Sequence, residues 1–236
     1  MPRIPLIEDL TKEPVPDGDQ LLVEFDPGSQ WYNASTYMAA GWLKTGGKVA
    51  YNVYAQPPDQ IRRQLKRLGL NTEELERDDK LRVLDWYTAT LGQKSKEKIV
   101  YSDSLKVADI SLNVLKEMSR PPSPEFLTMS DNNSILARFN EEKTWIELQL
   151  TRIIPKGRQT MERTIRGVMT ETHSVWAYKQ LEGAVDGIID FKLETSEKVG
   201  EQARSLLRIR LMQNVGFDGR WHPLKMNDNC EITLEE

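Results

Sequence analysis

The sequence predicts an α/β fold: a mostly parallel, twisted sheet flanked by helices, with antiparallel strands at the C-terminal edge. Three observations carry this. Short β-type runs alternate with longer helical patterns, which is how βαβ units read in sequence. That alternation stops late in the chain, where the runs 206–212 and 221–226 follow each other with no helical stretch between them. A chain of 236 residues, 39% hydrophobic and 29% charged, has the composition of an ordinary globular protein and the length for one substantial core.

The elements follow in order. The first 18 residues are rich in proline and acid and are expected as an extended lead-in, with a single domain over 19–236. Residues 21–25 (Leu-Leu-Val-Glu-Phe) form the first strand, and a helix-compatible stretch starts near Ala34. The Gly46-Gly47 pair ends that helix, and the second strand occupies 48–53. A helix over 59–68 has Ile61, Leu65 and Leu68 on one face, and Pro57-Pro58 suit its first turn, where a missing N–H costs little. The third strand is 81–86. Leu105, Ile110, Leu112, Leu115 and Met118 mark a helix that Pro121-Pro122 stops, and 125–130 is the fourth strand. A helix over 141–154 and strands over 165–170 and 187–193 complete the parallel part.

Composition narrows the function. A net charge of -4 argues against a general nucleic-acid footprint. The single cysteine, Cys230, has no internal partner for a disulfide, which suits a reducing compartment. The start, Met1-Pro2-Arg3-Ile4-Pro5, lacks a signal-peptide pattern, and no apolar run approaches the ~20 residues of a membrane span, so a cytoplasmic location and no membrane partner are expected. With two histidines and one cysteine, no cluster has zinc spacing and a nucleophilic triad has few candidates.

The turn after the first strand holds the most informative residues. A phosphate-binding loop runs strand, G-x-x-x-x-G-K-[ST], helix, because glycines let backbone N–H groups converge on phosphates without a Cβ in the way. Here the segment is Asp26, Pro27, Gly28, Ser29, Gln30, Trp31, Tyr32. The framing glycines are Phe25 and Gln30, the lysine is Trp31, and the hydroxyl residue that would hold Mg²⁺ is Tyr32. Taken alone, Asp-Pro-Gly-Ser is also an ordinary turn.

Further segments place this loop in a family pattern. Residues 57–65 (Pro-Pro-Asp-Gln-Ile-Arg-Arg-Gln-Leu), 81–85 (Leu-Arg-Val-Leu-Asp) and 130–139 (Ser-Asp-Asn-Asn-Ser-Ile-Leu-Ala-Arg-Phe) occur in the family's order. So do His173-Ser174 with 186–189, which are similar to the family's late strands, then 207–210 and 220–223. Together, over about 20–228, they resemble the KaiC-like branch of the RecA superfamily of P-loop ATPases, common in archaea. The resemblance implies a RecA-like P-loop NTPase core, and its functional residues map onto a set of losses. The adjacent acids that end the second strand, one of which polarises the attacking water, are Ala55 and Gln56; glutamine keeps the length of glutamate but cannot accept a proton. The basic K-x-R-G finger that reaches a neighbouring subunit falls on Leu211, Met212, Gln213 and Asn214, and the histidine that follows it on Phe217. Asp131 remains at the Walker B position. It reads either as a Mg²⁺ partner through water or as the N-cap of a helix beginning near Asn132, and the cap is favoured.

The expected function is therefore that of a catalytically inactive relative, not an enzyme, acting through a protein partner or self-association, in signal transduction or as a non-hydrolysing subunit of a ring or heteromer. No cofactor is expected. One alternative is a protein that binds ATP or ADP, with Mg²⁺, and does not hydrolyse it. Another is a recombinase-like paralogue that uses Arg152, Lys156, Arg158, Arg163 and Arg166 against DNA. The absence of stacking aromatics in that stretch disfavours nucleic acid.

Overall fold

The computed structural model describes residues 2–97, 104–118, 121–195 and 203–235. The expected strands form as β1 (Gln20–Phe25), β2 (Lys48–Val53), β3 (Leu81–Asp85), β4 (Phe126–Ser130), β5 (Arg163–Met169), β6 (Gly187–Glu194), β7 (Arg204–Met212) and β8 (His222–Met226), followed by a short β9 (Ile232–Leu234). Among the described residues they make one sheet in the order β3-β2-β4-β5-β1-β6-β7-β8-β9. The first six in that order are parallel, and β6 to β9 are antiparallel. Parallel neighbours need long crossovers, and helices supply them.

Those helices are α1 (Trp31–Lys44), α2 (Pro58–Arg67), α3 (Thr72–Arg77), α4 (Tyr87–Thr90), α5 (Val107–Glu117), α6 (Glu142–Leu148), α7 (Ile154–Thr160) and α8 (Val175–Glu182). A 3₁₀ turn spans Asn133–Arg138, and a π-turn, Gln149–Ile153, joins α6 to α7. The helix expected to end at 154 thus continues to Thr160. Pro155 sits at the start of α7, where the π-turn has already changed the hydrogen-bond register, so its missing N–H does not end the helix.

Strand alternation sorts the core into two halves. Leu21, Val23 and Phe25 of β1, with Val49 and Tyr51 of β2, Ile165 of β5 and Ile189 of β6, face α1 and α2. Leu22, Val168 and Ile188 face the other way, against Trp145, Ile146, Ile154 and Leu181 of α6 to α8. Central parallel strands covered on both sides are buried on both faces.

Three expectations need correction. The first 18 residues are not an extended lead-in. Residues 5–10 are turns, and Ile4, Leu6, Ile7 and Val15 are fully buried in the α1-side core, while Thr11 bridges to Phe217. The apolar residues between the prolines outweigh the terminal position, because they cover a sheet face that would otherwise meet water. Helix α1 begins at Trp31, three residues before Ala34, with the Ala34 N–H already bonded to the Gln30 carbonyl at 2.9 Å. His173-Ser174 is not strand: Ser174 caps α8, its Oγ accepting from the Ala177 N–H at 3.2 Å.

Candidate functional site

The loop after β1 lies at the C-terminal ends of the parallel strands, where open α/β sheets bind ligands. Its backbone is a tight turn. Pro27 follows Asp26, Gly28 has φ +82°, and the Ser29 N–H bonds the Asp26 carbonyl at 3.1 Å. That is a type II turn, which requires a positive φ at its third position and so takes glycine. The loop's polar groups bind the protein itself. The Asp26 N–H donates to the Phe191 carbonyl (2.8 Å), and the Gln30 N–H donates to Ser205 Oγ (2.9 Å). The Asp26 carboxylate accepts from Thr170 Oγ1 (2.7 Å) and from the Leu193 N–H (3.1 Å).

Trp31 then turns inward. It is fully buried, 5.9 Å from Phe25 and 5.3 Å from Phe191 between ring centroids, and its indole Nε1 donates to the Asp131 carbonyl at 2.6 Å. Gly167 of β5 makes room for it: a Cβ there would lie 2.5 Å from both that Nε1 and that carbonyl. Tyr32, half-buried, accepts from Asn132 Nδ2 at 3.1 Å, and below it Ser35 Oγ and Tyr51 Oη share a hydrogen bond of 2.7 Å. Between β1 and the end of β4 the space is filled by ring and hydroxyl contacts.

Asp131 is fully buried and is not the helix cap. Its carboxylate accepts from the Tyr54 N–H (2.8 Å) and the Ala55 N–H (3.1 Å), holding the end of β2. Asn132 does the capping, with Oδ1 accepting from the Ser134 N–H at 3.1 Å. Complete burial pushes the Asp131 carboxyl up to about 7, while the amide bonds pull it down. Gln56 follows, its Oε1 buried without a partner. Among the described residues no three His, Cys, Asp or Glu side chains converge as metal ligands.

The remaining candidates lie apart from this loop. Leu211, on β7, packs with the α6–α8 side of the core, and Gln213 binds the β6 approach through its Nε2 to the Val185 carbonyl (3.1 Å). The basic stretch does not form one face. Lys156 pairs with Glu162 at 2.6 Å, Arg158 with Asp186 at 2.9 Å, and Arg163 with Asp17 while lying over the Trp42 ring. Arg152 donates to the Thr151 carbonyl, and Arg166 is buried inside the molecule. His173 stacks on Trp145 at 4.5 Å beside Glu142; burial lowers its pKa. Sequence reasoning missed Gly167 and Asn132. A glycine in the middle of a buried strand marks a close approach, and that signal was present.

No family model matches the chain. Two relatives named UPF0273 proteins span nearly all of it. That from Aeropyrum pernix is 26% identical over 234 residues, 99% of this chain and 92% of the relative. That from Thermotoga maritima is 24% identical over 226 residues, 95% and 91%. Among solved structures, a KaiC-like protein from Pyrococcus horikoshii superposes with a TM-score of 0.71 at 15% identity, covering 99% of this chain and 96% of that one. The flagellar accessory protein FlaH from Methanocaldococcus jannaschii gives 0.69 at 13% identity, covering 97% and 94%. The chain has the KaiC-like, RecA-type α/β fold.

Proposed function

We propose that this protein is a non-hydrolysing relative of the KaiC-like ATPases that acts through protein contacts, as an accessory or signalling subunit. The observation that supports it above others is Trp31. At the position where the fold's ATPases place a phosphate-binding lysine, a fully buried indole is hydrogen-bonded to the Asp131 carbonyl. A lysine there gives the β- and γ-phosphates a charge-assisted hydrogen bond of ~1.5–3 kcal/mol, and an indole gives them none. The surroundings do not suit Mg²⁺-nucleotide either. Tyr32 is engaged with Asn132, Ala55 and Gln56 offer no general base, and Asp131 is occupied by main-chain amides.

Three separated losses with the strands intact are consistent with a scaffold kept for its surface. The M. jannaschii neighbour is named an accessory protein, and that kind of role is the one carried over here. Val175 and Trp176, consecutive at the start of α8, are 71% and 46% exposed, an apolar pair a partner would cover.

The test is an ATPase assay on the full chain with calorimetric titration of ATP and Mg²⁺. The expected result is no turnover above background and no heat of binding. Turnover that Asp131→Asn abolishes would overturn the proposal. Binding without turnover would replace it with the nucleotide-binding alternative.

A further inference from the structure

The opposite face of the sheet holds a cavity of about 110 Å³ between β2–β5 and the α5 to α7 layer. Its walls are largely apolar, among them Tyr54 and Trp86, stacked at 5.6 Å and 11°, with Leu84 and Ile153. Two polar side chains in the wall are incompletely satisfied. Arg166, 1% exposed, donates from Nη2 to Gln20 Oε1 at 2.5 Å, and its Nε and Nη1 have no partner. Gln149, 2% exposed and first in the π-turn, has an Oε1 with no partner.

A buried guanidinium is normally matched by a carboxylate, because removing the charge from water costs several kcal/mol. Among the described residues none touches Arg166. The nearby Asp186 is committed to Arg158 Nη2 (2.9 Å) and to the Gln20 N–H (2.9 Å). The lysine in the same wall is neutralised, since Lys156 pairs with Glu162 at 2.6 Å. Arg82, also in the wall, is held by Asp79 at 2.6 Å. The cavity therefore carries one uncompensated positive charge. Two N–H donors and one acceptor are left over within an apolar enclosure, on a π-turn of the kind that recurs at functional sites.

The geometry points to a binding site for a short organic monocarboxylate bearing a hydroxyl or amino donor: its carboxylate accepting from Arg166 Nη1, its donor on Gln149 Oε1, its carbon body against Tyr54 and Trp86. One positive charge balances a monoanion and leaves the second charge of a phosphate dianion uncompensated. A void somewhat smaller than the ~150 Å³ that holds a benzene limits the ligand to about four to seven heavy atoms. Nothing in this depends on the β1 loop, so it stands or falls apart from the question of hydrolysis.

The experiment is thermal unfolding of the full chain at pH 7 in matched ionic strength, with sodium chloride, sodium phosphate, sodium butyrate and sodium lactate as probes. Lactate is expected to raise the midpoint by about 5–10 °C near a hundredfold excess over its Kd, and butyrate, which lacks the donor, by less. Arg166→Met replaces the buried charge with an apolar chain of similar length and should fold at least as well while losing the response to both acids. Should it not fold, Gln149→Leu keeps the charge, and it should reduce the lactate response to that of butyrate. A carboxylate effect no larger than that of chloride would overturn the assignment, leaving a site for water or halide only. A preference for phosphate, or a lactate response that survives in Arg166→Met, would do the same.

Discussion

Replacing Trp31 with phenylalanine isolates the contact that closes the β1 loop. The ring remains apolar and aromatic, so the contacts with Phe25 and Phe191 largely persist, but the indole N–H is gone. The Asp131 carbonyl, which accepts it at 2.6 Å in a fully buried setting, is left without that donor. A buried acceptor left unpaired costs ~1–3 kcal/mol. The smaller ring also leaves a void beside Gly167, at a cost of about 1 kcal/mol for a site that relaxes only partly. The sum is about 2–4 kcal/mol. Trp31→Ala is expected at ~3–5 kcal/mol, with water entering the space to serve the carbonyl. Phenylalanine, ordinarily the mild replacement, should therefore cost most of what alanine costs. Urea unfolding followed by far-ultraviolet circular dichroism is the suitable assay, since fluorescence would change with the deleted tryptophan. The midpoint should fall at constant m-value. A loss under ~0.5 kcal/mol for Trp31→Phe is the size of an ordinary surface change and would refute the reasoning.

Two other outcomes follow from the same neighbourhood. Gly167→Ala puts a methyl 2.5 Å from Trp31 Nε1 and from the Asp131 carbonyl, and should cost ~1–3 kcal/mol by overpacking. Combined with Trp31→Phe the losses should sum to less than their separate values; strict additivity in the urea cycle would count against the contact. The second concerns pH. Burial raises the Asp131 carboxyl from 3.8 to about 7, and the Glu24 and Asp19 carboxyls, for the same first reason, to about 7 and about 6. Between pH 4 and 7 the folded chain then holds more protons than the unfolded one. Its stability should fall as pH rises through that window. Asp131→Asn should flatten the profile, and a slope unchanged by it would exclude Asp131 as a source.

The parallel strands were legible because each is a short apolar run set off by Gly, Pro or a helical period. The α1 boundary was not. Trp31 and Tyr32 are indifferent helix formers, and the helix starts there because the indole gains a buried place, a tertiary effect that local propensity does not contain. The loop residues were legible as a turn after β1, but the sequence could not say what the bulky side chains do. Asp131 shows the limit most clearly. It stands beside Asn132, and either suits a cap; the choice depends on the amides at the end of β2, far away in the chain. Arg166 was grouped with four less deeply buried cations, though its strand contained the signal. In 163–169, Ile165 and Gly167 face α1, so Thr164, Arg166 and Val168 must face the second layer, and on a central parallel strand that layer is also interior.

The residues at the β1 loop are intelligible only as a set. A lysine at position 31, with Phe25, Phe191 and Gly167 around it, would be a buried ammonium without an anion, a state costing several kcal/mol. Asp131 offers it no relief, because both carboxylate oxygens already accept from main-chain amides. Trp31 removes the need for an anion and adds a donor for the one carbonyl that the end of β4 directs there. Once the indole is seated, Tyr32 and Asn132 close over it, and a cation at 31 can return only if several neighbours change together. The second face runs on the opposite logic: there the chain retains a buried cation without its anion, next to an unfilled volume. That it has sealed one side and left the other charged is the strongest reason to look for a ligand on the side where no phosphate loop would lead one to search.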